Sequence, residues 1–254
     1  MHDGYYVHNR YTDEQLDLME SKNINSGELV NFINQDELAF CRKMIDTISW
    51  PEVGGTSKYH GASWVDPIGQ PLKEIFYDKL GDHLGDYELD FFAFQEGIKP
   101  WKIHSDMRWY PDRLPYHVTL VPLDVISNDS SIEGWAETYS LTFKQRDFKR
   151  YAPNDDSKKA TNTDQSHWLR PIEKENTEGC IKGYSITPEI HSQYMSHMPY
   201  DWMEGLELET IFRWEPGNAG HWDQNQLHCA DNFLARNIKT KLSLIFFTNH
   251  PGRY

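Results

Sequence analysis

The chain has 254 residues, of which 38% are hydrophobic and 14% aromatic, enough for the core of a globular protein. Its formal net charge of −14 argues against nucleic-acid binding, which needs clustered lysine and arginine. The three cysteines are far apart, and there is no leader-like N-terminus or long apolar run. These features predict a soluble cytoplasmic protein with reduced thiols and no membrane span.

The first half of the chain contains most of the helical signals. Residues 1 to about 25 are polar and predict an extended arm, followed by a short strand over 29–33. Apolar residues at helical spacing then predict a helix that begins near Asn34 and ends before Pro51. A loop is expected over 59–69 and a second helix over about 71–83.

Strand signals dominate the second half. Pro122, within one predicted strand, indicates an edge or a bulge. The polar stretch over about 144–185 predicts a surface insertion or lid, and Thr187-Pro188 predicts the start of a helix. Helices followed by strands favour an α+β fold in a single domain, residues 1–254. The predicted strands cover 87–94, 115–123, 137–143, 206–214 and 241–248.

A short His-x-Asp motif follows the first of these strands. In extended chain, residues two apart point to the same side, so His104 and Asp106 can converge on one object. An imidazole nitrogen and a carboxylate oxygen are two thirds of the two-histidine, one-carboxylate set that holds Fe(II). Alone, the motif is more typical of an exposed strand edge with two polar side chains than of a metal site.

Two later features complete the pattern. One is His228, which follows a Pro-Gly turn, and the other is the strand over 241–248. The alternation of that strand puts Lys241, Ser243, Ile245 and Phe247 on one face. A lysine on an apolar face needs a counter-charge, which a bound dicarboxylic acid would supply.

In order and spacing, the chain resembles the Fe(II)- and 2-oxoglutarate-dependent dioxygenases of the double-stranded β-helix fold, over about residues 29–249. The resemblance implies a jelly-roll, cupin-like core with the N-terminal helices packed on one sheet. It also implies that His104, Asp106 and His228 bind Fe(II) and are catalytic. Lys241 and Ser243 would then bind the distal carboxylate of 2-oxoglutarate.

The family most often has arginine where this chain has Lys241. Lysine supplies a point charge but lacks the bidentate fork of arginine. Lys239 and Arg236 are nearby alternatives, and Arg236 is the weaker of the two because it lies outside the strand alternation.

Supporting roles are expected for four further residues. Thr119 or Tyr116 would hydrogen-bond the oxo acid, and Trp222 or Asn232 would flank His228.

Other polar residues have simpler interpretations. His221 is expected in a loop, although it is the best rival for the third metal ligand. His117, inside a strand, is expected to be a hydrogen-bonded core or pocket histidine. Glu207 and Glu209 could be a carboxylate pair for glycoside hydrolysis, but a solvated strand face is the simpler expectation.

The resemblance implies hydroxylation of a C–H bond in a small-molecule or amino-acid-like substrate, with dioxygen consumed and succinate and CO₂ released. The presence of Asp106 favours hydroxylation, demethylation or desaturation over halogenation. One alternative is a cupin-like isomerase or binding protein that uses the same metal set without an oxo acid. Another is a carbohydrate-binding module, suggested by the nine tryptophans. The sequence specifies neither the substrate nor the oligomeric state.

Overall fold

The structure, a computed structural model, describes residues 12–50, 52–53, 57–106, 112–129, 136–147 and 177–252. Most of the predicted insertion over 144–185 therefore lies outside the described residues. Within them, no helix is both long and apolar enough to cross a membrane.

The N-terminal segment is helical over Asp13–Ser21, so the prediction of an extended arm is wrong there. Thr12 accepts a hydrogen bond from the backbone of Gln15, and the side chain of Gln15 accepts one from the backbone of Thr12. This capping box is the local signal that begins the helix. The helices are α1 (Asp13–Ser21), α2 (Gln35–Ile45), α3 (Gly69–Leu84) and α4 (Pro188–Tyr194).

Helices α2, α3 and α4 confirm the three predicted helices. Asn34 and Glu37 form a second capping box at the start of α2. Thr187 caps α4, and Pro188 occupies the first turn, where its missing N–H costs no helical hydrogen bond.

The strands are β1 (Gly27–Leu29), β2 (Glu52–Val53), β3 (Ser57–Ala62), β4 (Glu88–Gly97), β5 (Pro115–Ser127), β6 (Tyr139–Asp147), β7 (Thr177–Glu178), β8 (Leu208–Arg213), β9 (Ala219–Asp223), β10 (Gln226–Ala230) and β11 (Ile238–Asn249).

Two predicted boundaries are wrong. The strand expected over 29–33 ends at Leu29, because the backbone turns at Asn31 into the left-handed region with φ of 57°. The loop expected over 59–69 begins only after Ala62. The residues before that point pair with β4 as strand β3, although Gly61 interrupts their strand-like composition.

The strands form two sheets. The larger has the order β1-β9-β5-β11-β4-β3-β2, and the smaller contains β10, β6 and β7, with β8 also paired to β6. Helices α2 and α3 cover the outer face of the larger sheet, where Phe76 of α3 packs against Phe246 of β11 at a ring distance of 4.7 Å. The two sheets with helices on one side are the predicted α+β arrangement.

Pro122 lies in β5, which is a central strand between β9 and β11. The register with β11 shifts at this point, from Leu242 opposite Asp124 to Ser243 opposite Pro122. The bulge accommodates the missing proline N–H. The predicted bulge is therefore confirmed, whereas the alternative of an edge strand is wrong.

Strand β9 approaches β8 of the other sheet closely at Gly220. A Cβ added there would lie 2.6 Å from a ring carbon of Phe212, nearer than side-chain atoms pack. Only glycine fits this contact without displacement of the Phe212 ring or of one strand.

Replacement of Phe76 by alanine should lower the free energy of unfolding by about 3–5 kcal/mol, because its fully buried ring fills the space between α3 and the larger sheet. Denaturant unfolding measures the change. Glu74→Ala, at an exposed position of the same helix, is the control and should change stability by less than about 0.5 kcal/mol. Equal effects of the two substitutions would contradict the packing described.

Candidate active site

The segment after β4 pairs with strand β10, and this pairing brings the predicted metal ligands together. His104 and His228 are opposite each other in an antiparallel bridge, with N–O distances of 3.0 and 2.9 Å between their backbones. Asp106 continues the pairing through its N–H to the carbonyl of Gln224, at 2.9 Å. Opposed residues share a face, and so do residues two apart, so all three side chains point to the same side.

The side chains of this triad meet at one point. A ligand atom from each of His104, Asp106 and His228 lies within 4.8 Å of the other two. Nε2 of His228 is 3.1 Å from one carboxylate oxygen of Asp106, and Nε2 of His104 is 3.7 Å from the other. Two neutral imidazoles and one carboxylate in this arrangement are suited to a divalent metal with open coordination positions.

Backbone carbonyls fix the orientation of both imidazole rings. Nδ1 of His104 lies 2.7 Å from the carbonyl of Lys102, and Nδ1 of His228 lies 3.0 Å from that of Gln226. Because a carbonyl only accepts, each Nδ1 carries the proton and each Nε2 presents its lone pair. This is the tautomer that a metal ligand needs.

Aromatic side chains surround the triad. The indole N–H of Trp222 donates to Asp106 at 3.3 Å, and its ring lies against His228 with centroids 4.7 Å apart. Asn232, the other residue expected to flank His228, donates instead to Ser196.

Burial alone would raise the pKa of Asp106, but His228, His104 and the Trp222 hydrogen bond lower it well below its usual value. The carboxyl is therefore ionised at neutral pH.

The triad lies in the wall of a cavity of about 360 Å³ between the two sheets. Its wall is largely aromatic and aliphatic, with polar side chains from both sheets. The residues that line it include Ser57, Tyr59, Gln95, Lys99, Trp101, Ser140, Trp214, Trp222, Phe233, Lys241, Ser243, Ile245 and Phe247. The alternation predicted for β11 is therefore confirmed, since all four residues of its predicted face line the cavity.

The cavity also contains a buried ammonium group. Lys241 is 3% exposed, and its Nζ donates to the carbonyl of Tyr139 at 2.9 Å and lies 3.9 Å from the centre of the Trp214 ring. The carboxylate of Asp231, which sequence reasoning missed, is 3.5 Å away. The protein thus supplies one counter-charge for Lys241 itself.

Asp231 is shared between two cations. Besides Lys241, it contacts the guanidinium of Arg236 at 3.2 Å and accepts from Thr138 at 2.7 Å. Two positive charges against one carboxylate leave a net charge of +1. Burial lowers the pKa of Lys241 to about 8, and Asp231 opposes this shift.

Comparisons with known proteins give a match in structure. No protein-family profile matches the chain, and no curated protein matches it in sequence. The non-heme alpha-ketoglutarate-dependent epimerase SnoN from nogalamycin biosynthesis superposes with a TM-score of 0.51 at 11% identity, over 93% of this chain and 82% of SnoN. The carbocyclase SnoK from the same biosynthesis gives a TM-score of 0.49 at 10% identity, over 98% of this chain and 87% of SnoK.

This chain has the jelly-roll fold of SnoN. The predicted resemblance to the 2-oxoglutarate-dependent oxygenases is confirmed at the level of the fold. Cupins share this architecture, so the fold does not by itself decide between the two chemistries.

Thr119 and Tyr116, predicted to contact the oxo acid, do not lie on the cavity wall. Thr119 is opposite Phe246 of β11, which points away from the cavity toward helix α3. The hydroxyl of Tyr116 donates to the carbonyl of Leu84, at the end of the same helix. The pleat of β5 directs Thr119 to the helix-covered face, and Tyr116 lies beside a register shift in the β5–β11 pairing. Contact of either residue with the oxo acid stays a prediction.

Lys239 and Arg236, the two alternative partners for the distal carboxylate, do not line the cavity. Lys239 is exposed on β11, and Arg236 stacks over the rings of Tyr139 and Tyr194 outside the cavity. Of the three basic residues considered from sequence, Lys241 is the one that lines the cavity.

Glu207 and Glu209 have separate partners and do not form a catalytic pair. Glu207 is ion-paired with Lys144, and Glu209 accepts from the side chain of Gln226 at 2.6 Å.

His221, expected in a loop, is buried within β9 and is not the third ligand of the triad. It meets His117 and His83 on the helix-covered face of the larger sheet. Burial, together with the neighbouring imidazoles, lowers the pKa of His221 to about 3, and burial and His117 lower that of His83 to about 4. The expectation that His117 is hydrogen-bonded in the core is confirmed by its contacts with Asp223 and His221.

Replacement of Lys241 by methionine should destabilise the fold by about 3 kcal/mol, the low end for a broken buried ion pair, because Arg236 and Thr138 still contact Asp231. Denaturant unfolding at neutral pH measures this. Lys239→Met, two positions earlier on the same strand but exposed, should change stability by less than about 0.5 kcal/mol. If both variants are as stable as the parent, the ion pair does not stabilise the fold.

Proposed function

We propose that this chain is an Fe(II)- and 2-oxoglutarate-dependent dioxygenase that hydroxylates a C–H bond of a small-molecule or amino-acid-like substrate. The single observation that carries this proposal is the convergence of His104, Asp106 and His228 within 4.8 Å at the cavity wall. The reaction would consume one 2-oxoglutarate and one dioxygen for each substrate, and would release succinate, CO₂ and the alcohol.

The donor set fits a ferrous ion. Both Nε2 atoms present lone pairs, because both Nδ1 atoms are held by backbone carbonyls. Asp106 is ionised and is oriented by the indole N–H of Trp222. When bound, Fe(II) would supply the redox chemistry with dioxygen and the oxo acid at its remaining coordination positions.

The buried ammonium of Lys241 supports binding of the oxo acid in the same cavity. The triad and Lys241 line one cavity, as a dicarboxylate that chelates the metal at one end and meets an ammonium at the other would require. The net charge of +1 on Lys241, Asp231 and Arg236 favours one added carboxylate. The hydroxyl groups of Ser243 and Ser140, also on the cavity wall, are suitable donors to it.

The remaining wall would orient the substrate. Trp101 lies against His104 with ring centroids 5.2 Å apart, and Trp222 lies against His228, so both rings border the triad. These faces exclude water and offer apolar contact to a C–H donor. A carboxylate at position 106 also occupies the place that a halide would need, which favours hydroxylation over halogenation.

One observation favours a second candidate, a cupin-like metal-binding protein that acts without an oxo acid. Asp231 already supplies a counter-charge to Lys241, so burial of the ammonium does not require a dicarboxylic ligand. The two candidates differ in one measurable respect, since only the dioxygenase decarboxylates 2-oxoglutarate. The reducing, cytoplasmic location predicted from the cysteines is part of the proposal for either candidate.

Anaerobic titration of the metal-free protein with Fe(II) and then 2-oxoglutarate should produce the visible charge-transfer band of the chelated oxo acid. Admission of air should then yield succinate in proportion to Fe(II)-bound protein. Asp106→Ala should abolish the band and the succinate, because it removes the anionic ligand. His191→Ala, outside the cavity wall, is the control and should retain both. Metal binding without the band or succinate would favour the cupin-like candidate.

The affinity for 2-oxoglutarate should depend on the protonation of Lys241. Its pKa of about 8 lies below the ordinary 10.5, so the ammonium is charged below pH 8 and is lost as pH rises through that value. Binding followed by the charge-transfer band should therefore weaken above pH 8, by up to about tenfold per pH unit. Lys241→Arg retains its charge over this range and should flatten the profile. The same decline in the arginine variant would exclude Lys241 as its cause.

A further inference from the structure

A second group of metal-binding side chains lies on the opposite face of the larger sheet from the cavity. His83 comes from the last turn of α3, His117 from β5 and His221 from β9. The proposed dioxygenase chemistry uses none of these residues. They join three elements that are distant in sequence, and helix α3 covers them.

The ring nitrogens of this group are spaced as ligands of one ion would be. One nitrogen from each of His83, His117 and His221 lies within 4.8 Å of the other two. Nε2 of His117 is 3.1 Å from Nδ1 of His221. With Zn–N bonds of about 2.0–2.1 Å, two nitrogens on a tetrahedral zinc ion are about 3.3 Å apart. The nitrogens of His117 and His221 are thus already spaced as on one zinc ion, and that of His83 lies within 4.8 Å of both.

A carboxylate orients the central ring. Nδ1 of His117 lies 2.9 Å from Asp223, a residue that is 2% exposed, so the Nε2 lone pair points into the group. Asp223 is itself held by the guanidinium of Arg146 at 3.1 Å and by the backbone N–H of Ile24 at 3.2 Å. The carboxylate–histidine pair is the arrangement that supports imidazole ligands in zinc sites.

Two buried polar atoms near the group have no hydrogen-bond partner among the described residues. They are Nε2 of His83 and the hydroxyl of Thr119, which lies directly opposite His221 across the β5–β9 pairing. Buried polar atoms are normally satisfied, so two of them beside convergent imidazoles indicate a missing ligand. A metal ion and its bound water would satisfy both.

We propose that His83, His117 and His221 bind a zinc ion, with a water molecule as the fourth ligand. Three neutral nitrogen donors suit zinc, and the largely buried position beneath α3 suits an ion that ties this helix to β5 and β9. The alternative is a bare hydrogen bond from His221 to His117 with no ion, and the two differ in the role of His83. Only the zinc site requires His83.

The test uses Zn²⁺ alone as the probe, in full-length protein whose first triad has been disabled by Asp106→Ala and His228→Ala. Competition against a chromophoric chelator should show one equivalent of bound zinc in this background, and zinc should raise the melting temperature. Addition of His83→Gln should weaken zinc binding by at least about 100-fold and abolish the thermal shift, since it removes a ligand at a partly exposed helix position. His191→Gln should leave both unchanged.

Each outcome decides the question. No bound equivalent in the background, or an equivalent that persists with His83→Gln, would overturn the proposal. Circular dichroism without zinc checks that His83→Gln folds like its background. If the background itself does not fold, His83→Gln in the otherwise unmodified protein should remove one equivalent of bound zinc. Neither result depends on whether the first triad binds iron or the cavity accepts 2-oxoglutarate.

Discussion

Two backbone hydrogen bonds between His104 and His228 are the constraint on which the candidate active site depends. They fix the register between the segment after β4 and strand β10, and thereby place both imidazoles on one face. Asp106 reaches the same face because the pairing continues to Gln224. Side-chain forces alone would not hold three polar groups together in an apolar cavity, since each must give up hydration. The backbone pairing offsets this desolvation free energy, so the three side chains are already held together before an ion binds.

The Lys241 ammonium is a second polar group in the cavity whose position is fixed by the protein. The protein satisfies it only in part, and it could also bind a ligand. Lys241 has a carbonyl, a carboxylate and an aromatic face around it, yet its charge remains in excess once Arg236 is counted with Asp231. A group balanced in this way is stable without a ligand and still attracts an anion. The pKa of Lys241 is lowered because the effect of burial, which disfavours the charged form, exceeds that of Asp231, which favours it.

Much of this could be predicted from the sequence, wherever the pattern was local. Alternation in β11 correctly assigned Lys241, Ser243, Ile245 and Phe247 to the cavity face, and the spacing of His104 and Asp106 correctly put them side by side. At the site, what failed depended on pairing between distant segments. Thr119 lies on the helix-covered face of β5 and not on the cavity wall, because a single strand does not indicate which of its faces the helices cover. Asp231 was missed because its role depends on the contact between the segment after β10 and Lys241 of β11.

Strand β9 contains the sequence His221-Trp222-Asp223, which repeats the His-x-Asp spacing of the candidate iron site. Its pleat turns Trp222 toward the cavity, and the histidine and carboxylate toward α3. A slip of one residue would exchange these faces and bring a competing imidazole and carboxylate beside the triad. Such a slip would put a residue with a side chain at the position of Gly220, where a Cβ would clash with the ring of Phe212. A residue without a side chain thereby keeps two chemically similar sets of ligands on opposite sides of one sheet.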